Sequence, residues 1–180
     1  MNSYKGFTLI ELMITVTIMS ILLTVGLPSF QSIIASSRLT SAANGMVSAL
    51  QLARVEAVKQ SKPVVIAKKN GNWQNGWVVF VDLNSTSASS YVPVQDANEP
   101  TLASFDSLSP TIMVKNNLAT SGTQLYYKIS GQSNKRGTFS FCTNPGTNQD
   151  FRSVVIAATG RIHVESASSK PSSIYTNDCK

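Results

Sequence analysis

This 180-residue chain has only two cysteines and one histidine. Cys142 and Cys179 do not form C-x-x-C, and a lone His163 completes no tetrahedral set, so a zinc constellation is excluded. G-x-S-x-G, the P-loop and H-E-x-x-H are missing too, and one histidine cannot build a triad. Catalysis therefore has no residues to rest on, and no cofactor or metal is expected. Charge is the next scarcity. Between Glu11 and Arg38 there is none at all.

That gap defines a segment. From Phe7 to Leu27 the chain holds Thr, Ser, Gly and large apolar residues, with Glu11 as its one charge. About 21 residues at helical rise cover roughly 31 Å, enough to cross a bilayer core. Lys5 precedes the run and favours a cytoplasmic N-terminus, leaving about 150 residues outside. An ordinary secretory signal peptide has a shorter apolar region, no early acid and an A-x-A-like site. A simple anchor leaves Glu11 unexplained. A carboxylate in an apolar helix is costly unless paired. The most economical partner is a cation that arrives when subunits pack, so the segment reads as an assembly device.

The Gly6/Phe7 junction, the Phe7-Thr8-Leu9-Ile10-Glu11 opening and Pro28 beyond the run resemble the N-terminus of type IV prepilins. The resemblance implies that a prepilin peptidase cuts after Gly6, removing residues 1–6 as a leader, and N-methylates Phe7. It also implies that Glu11 meets the N-terminal ammonium of a neighbouring subunit. The bottom-up argument agrees, because cleavage creates a cation on an apolar helix end, and opposite charges in low dielectric attract strongly.

Hydrophobic residues make up 42% of the chain, enough for a modest core beside one anchor. The formal charge of +6 is unevenly spread. Residues 70–110 hold Asp82, Asp96, Glu99 and Asp106 with no Lys or Arg, whereas residues 111–180 are basic. Such asymmetry fits subunit docking, a polyanion partner or plain solvation. Two cysteines in an exported domain favour a disulfide between Cys142 and Cys179, with two buried free thiols as the alternative. The bridge would close a loop of about 38 residues and contribute roughly 3–4 kcal/mol in the chain-entropy model.

Pro28, with Gly26 just before it, is expected to bend the first helix. Residues 29–62 then continue it. Leu39, Ala43, Met46, Val47, Leu50, Ala53 and Ala57 recur at helical spacing and form a stripe. Pro63 disfavours helix before it, so a stop falls near Ser61-Lys62. Residues 63–180 read as a β-rich domain with strands at 64–67, 76–81, 112–114, 125–129, 138–142, 153–157 and 161–165, and a surface loop over 84–100. Trp73, Trp77, Tyr126 and Tyr127 are assigned to a core or an interface. The expected fold is α+β and pilin-like: a long N-terminal helix, its first half (7–28) spanning the membrane, packed on antiparallel sheet.

Leu50-x-x-Ala-Arg-x-Glu-Ala, Trp73-x-x-Gly-Trp77 and Gly160-Arg161 are similar to the GspH/FimT group of minor pilins and pseudopilins. The resemblance implies a non-catalytic subunit. Its partners would be the prepilin peptidase, the inner membrane, and major and other minor pilins or pseudopilins. The domain would be periplasmic first and at the cell surface after assembly into a pilus. Three roles are compatible: pilus assembly or tip, type II secretion, and DNA uptake. The last would use double-stranded DNA as partner. On a final strand with Ile162 and Val164 facing inward, Arg161 and His163 would stand roughly 6–7 Å apart, about one phosphate step. Lys135, Arg136 and Arg152 would extend the patch. Competence-associated relatives carry Gly-Arg-x-Arg here, but this chain has His163 in the fourth position, mostly neutral at pH 7.

Overall fold

The computed structural model describes residues 6–83, 98–118, 124–143 and 151–166. Its chain divides into two compact units, Met1–Ser37 and Arg38–Lys180. Helix α1, Leu9–Gln60, contributes to both. It runs through Pro28 without a break in helical assignment. The proline therefore does not end it, although the side chains of Val25, Leu27, Pro28, Ser29 and Ser32 lie outside the described residues.

In the first unit, the large apolar side chains from Leu9 to Leu23 are 49% to 76% exposed. The hydroxyls between them are satisfied inside the helix. Thr15 donates to the Leu12 carbonyl at 2.9 Å, Thr17 to Met13 at 2.7 Å, and Ser20 to Val16 at 2.8 Å. This back-bonding leaves no hydroxyl proton seeking water, as an apolar environment requires. Among the described residues no helix is long and apolar enough to cross a membrane. The uninterrupted stretch with described side chains, Leu9–Thr24, falls short of the roughly 20 residues a span needs. The expected span over Phe7–Leu27 includes Val25 and Leu27, whose side chains lie outside it.

In the second unit, α1 turns one face inward. Leu39, Ala43, Met46, Ala49, Leu50, Ala53 and Ala57 are at most 1% exposed, while Val47 is half-buried. The stripe is thus the expected one, with Ala49 added. α1 stops at Gln60, and Ser61 takes φ 51° before Lys62 and Pro63.

Among the described residues eight strands follow, in two four-stranded antiparallel sheets. They are β1 Val64–Lys68, β2 Trp77–Val81, β3 Thr101–Phe105, β4 Ile112–Asn116, β5 Leu125–Tyr127, β6 Gly137–Thr143, β7 Phe151–Ile156 and β8 Ile162–Ser166. One sheet has the order β3-β2-β1-β5 and the other β4-β6-β7-β8. Strand β3 was not anticipated, because Thr101–Phe105 alternates too weakly to stand out from the polar stretch before it. The strand expected over 125–129 ends at Tyr127, where Lys128 and Gly131 close a turn through Gly131 N–H to the Lys128 carbonyl at 2.8 Å. Most of the expected loop over 84–100 lies outside the described residues.

Side chains from α1 and both sheets form one apolar cluster. Trp77 stacks on Phe105 with ring centroids 5.5 Å apart, and Trp73 meets Phe139 edge-on at 4.8 Å. Trp73, Trp77 and Tyr127 are therefore core residues, and Tyr126 is half-buried. Cys142, 1% exposed in β6, is disulfide-bonded. Its expected partner, Cys179, lies outside the described residues.

Side-chain amides cover two sheet edges. Gln74 donates to the Ile112 carbonyl at 2.5 Å and accepts from Val114 N–H at 3.3 Å, so it acts as a strand beside β4. Asn134 accepts from Tyr126 N–H at 2.8 Å and donates to the Gln124 carbonyl at 3.0 Å, doing the same for β5. Both devices blunt an edge that would otherwise invite foreign pairing. Gln74→Ala is expected to cost about 1–3 kcal/mol, because two half-buried β4 backbone groups lose their partner. Urea unfolding of the detergent-solubilised chain checks it, and an unmoved midpoint would count against this role.

Candidate functional site

Two regions carry the chemistry, one in each unit. The first is the N-terminal junction. Phe7 lies ahead of α1 with 84% of its surface exposed. Thr8 occupies the N-cap, and Glu11 reaches back to it. The Glu11 Oε2 accepts from the Thr8 backbone N–H at 3.0 Å and from its hydroxyl at 2.9 Å. Thr8 Oγ1 in turn accepts from Glu11 N–H at 3.3 Å. This is a capping box. Its signal, T-x-x-E ahead of an apolar run, stood in the sequence but was read only for its charge. The carboxylate therefore has a partner inside its own chain. Its second oxygen makes no hydrogen bond among the described residues.

The basic residues near the C-terminus do not line up as one track. Lys135 is only 6% exposed, and burial pushes its ammonium pKa down. Arg152 is half-buried and donates to the Phe151 carbonyl at 3.0 Å. His163 Nε2 lies 3.2 Å from Glu165 Oε1, so a carboxylate offsets any charge it carries. Arg136 and Arg161 remain exposed.

Arg161 has other neighbours. With Gln51, Arg54, Val55, Val58, Lys59 and Ile162 it lines a groove of about 640 Å³ between α1 and the start of β8. Two turns meet beside this groove, and glycine lets them approach. A Cβ on Gly160 would sit 2.1 Å from the Gly131 carbonyl oxygen and 3.1 Å from the Tyr127 ring. One on Gly131 would sit 3.3 Å from Val58 and 3.5 Å from the Arg54 guanidinium. Tyr127 is buried beneath these turns, and burial pushes its phenol pKa up to about 12. Arg54 entered the sequence reading only within the Leu50-x-x-Ala-Arg-x-Glu-Ala pattern, and neither it nor Lys59 was a candidate site residue. Only the packing of α1 on β8 brings Arg54 into one groove with Arg161. Among the described residues no group of three His, Cys, Asp or Glu could hold a metal ion.

Comparisons with known proteins fit this architecture. The GspH family, described as type II transport protein GspH, matches residues 42–160. The prokaryotic N-terminal methylation motif matches residues 1–27. Among curated proteins, a fimbrial protein of Pseudomonas aeruginosa is 43% identical over 65 residues, covering 36% of this chain and 42% of its own. The type IV major alpha-pilin of Moraxella bovis is 39% identical over 70 residues, covering 39% and 43%. The chain thus spans less than half the length of these relatives. Among solved structures, the type IV minor pilin FimU of Pseudomonas aeruginosa aligns with TM-score 0.54 and 28% identity, covering 72% of this chain and 90% of that one. The minor pseudopilin EpsH from the type 2 secretion system of Vibrio cholerae aligns with TM-score 0.51 at 13% identity, covering 72% and 97%, a likeness of fold alone. With its methylation motif at residues 1–27 and its matched domain at 42–160, the chain belongs to the GspH family and is a FimU-like prepilin.

Proposed function

We propose that this protein is a minor type IV pilin, a non-catalytic subunit that primes pilus assembly or sits at the pilus tip. One observation carries the reading: the large apolar side chains from Leu9 to Leu23 stand exposed around a single carboxylate. Such a surface needs lipid or other helices to cover it. In this reading the inner membrane holds the Phe7–Leu27 segment first, with the β domain in the periplasm. A prepilin peptidase cuts between Gly6 and Phe7 and methylates Phe7, and the segment then packs among other pilin helices. Cys142 and Cys179 pair to tie the tail to β6.

The family description supports a second reading, a minor pseudopilin of type II secretion. Gene deletion separates the two. Loss of surface pili with intact export supports the pilin, and loss of exoprotein export with pili intact supports the pseudopilin.

DNA uptake is the weaker reading, because only Arg136 and Arg161 of the five basic candidates stand exposed. Two phosphate contacts give a log–log salt slope near −2, against about −4 or steeper for all five. We expect the shallow slope for a short duplex titrated with the full chain in detergent, falling further in Arg161→Ala. A slope steeper than about −4 would restore DNA as a partner.

A further inference from the structure

The groove between α1 and β8 has no part in membrane insertion or leader removal, yet it is built from paired features. Its floor is apolar and open to solvent. Val55 is 60% exposed and Val58 52%, with Ile162 beside them. Ile129 is 57% exposed, on the turn whose Gly131 lies against Val58. Residues two apart on a strand share a face, so the apolar strip continues along β8 from Ile162 to Val164, which is 46% exposed.

The rim is cationic. Lys59 is held by Glu56, Nζ to Oε1 at 3.0 Å, and Glu56 also accepts from Gln60. Arg54 and Arg161 make no ion pair among the described residues. Two guanidinium groups therefore border an uncovered aliphatic floor, with no acid among the lining residues.

We infer that this groove docks a protein partner, through a segment that places branched apolar side chains on Val55, Val58 and Ile162 and a carboxylate against Arg54 and Arg161. Charge complementarity selects the occupant. A guanidinium binds carboxylate through two parallel hydrogen bonds, which fixes register as well as charge. The aliphatic floor selects against nucleic acid, whose interfaces are polar and wet. Carboxylate and floor together ask for an amphipathic acidic peptide segment, and the volume suits a few side chains. Its assignment to another pilin-type subunit rests on the assembly reading. The groove itself does not.

The test uses the full chain in its own cells, with a benzophenone amino acid at the exposed Val58. After irradiation, the cross-linked peptide is sequenced by mass spectrometry. The expected adduct is another protein subunit, joined within a segment containing Asp or Glu. It should fall at least fivefold in Arg54→Glu/Arg161→Glu and return when the partner's carboxylate is changed to Lys. If that double variant melts early, Arg161→Gln, a change at an exposed residue, replaces it with the same expected direction. No adduct, an adduct with DNA or phospholipid, one with the chain's own residues 167–180, or a protein adduct indifferent to both arginines would each overturn the inference. Sheared filaments from the same cells keep the two readings apart. Normal incorporation without the adduct removes the groove and keeps the pilin. A carboxylate-dependent adduct in a chain absent from filaments keeps the groove and removes the pilin.

Discussion

Gly160→Ala is expected to destabilise the β domain by about 3 kcal/mol or more. Two costs add. Gly160 has φ 80°, a region where an L-residue pays roughly 1–2 kcal/mol. The new Cβ would also lie 2.1 Å from the Gly131 carbonyl oxygen, a distance no real contact shows. The oxygen belongs to backbone, so relief means parting two turns, not turning a side chain. Gly71→Ala is the reference, since Gly71 has φ 73° with nothing within 4 Å. It should cost roughly 1–2 kcal/mol from conformation alone. Urea unfolding of both variants separates strain from crowding. Equal midpoints would show that the close approach at Gly160 relaxes freely.

Glu11→Ala is expected to leave leader removal intact while recovery in sheared filaments falls at least tenfold. The capping box makes this prediction sharper. Glu11 could matter because it caps α1 or because it meets a neighbouring subunit's ammonium, and Thr8 tells these apart. Thr8→Ala removes the cap hydroxyl yet leaves the carboxylate. A capping role predicts similar losses for both variants. An intersubunit role predicts that Thr8→Ala loses no more than a fewfold, because helix starts tolerate a lost cap and the charge is still there. Glu11→Gln is the third member. It retains hydrogen bonding to Thr8 without charge, so it should behave like Glu11→Ala if the ion pair decides assembly. Normal recovery of Glu11→Gln would remove the intersubunit pair from the account.

The box also resolves a physical difficulty in the first reading. A carboxylate waiting in an apolar environment for a neighbour would be costly to hold. With Thr8 N–H and Oγ1 on one oxygen, Glu11 is partly satisfied while the chain is alone. In the proposed assembly role, only the second oxygen would need to be engaged by a neighbour.

Much of this was legible before any coordinates. The helical stripe from Leu39 to Ala57, the stop before Pro63 and most strands followed from periodicity and turn residues, because those signals are local. Strand β3 failed on the same ground. Thr101–Phe105 is held by β2 pairing and by Phe105 stacking on Trp77, both long-range. The basic patch failed for a related reason. Spacing placed Arg161 beside His163, whereas folding pairs His163 with Glu165 and buries Lys135.

By itself, the sequence determined the apolar first segment with its lone acid, the α+β order and the amphipathic stripe. Each depends on residues within a few turns or strands of one another, where backbone geometry alone dictates who shares a face. Tertiary structure alone decided which charges remain available. Arg54 and Arg161 stand more than a hundred positions apart, and only the fold brings them to one groove, beside the close approach of Gly160 to Gly131.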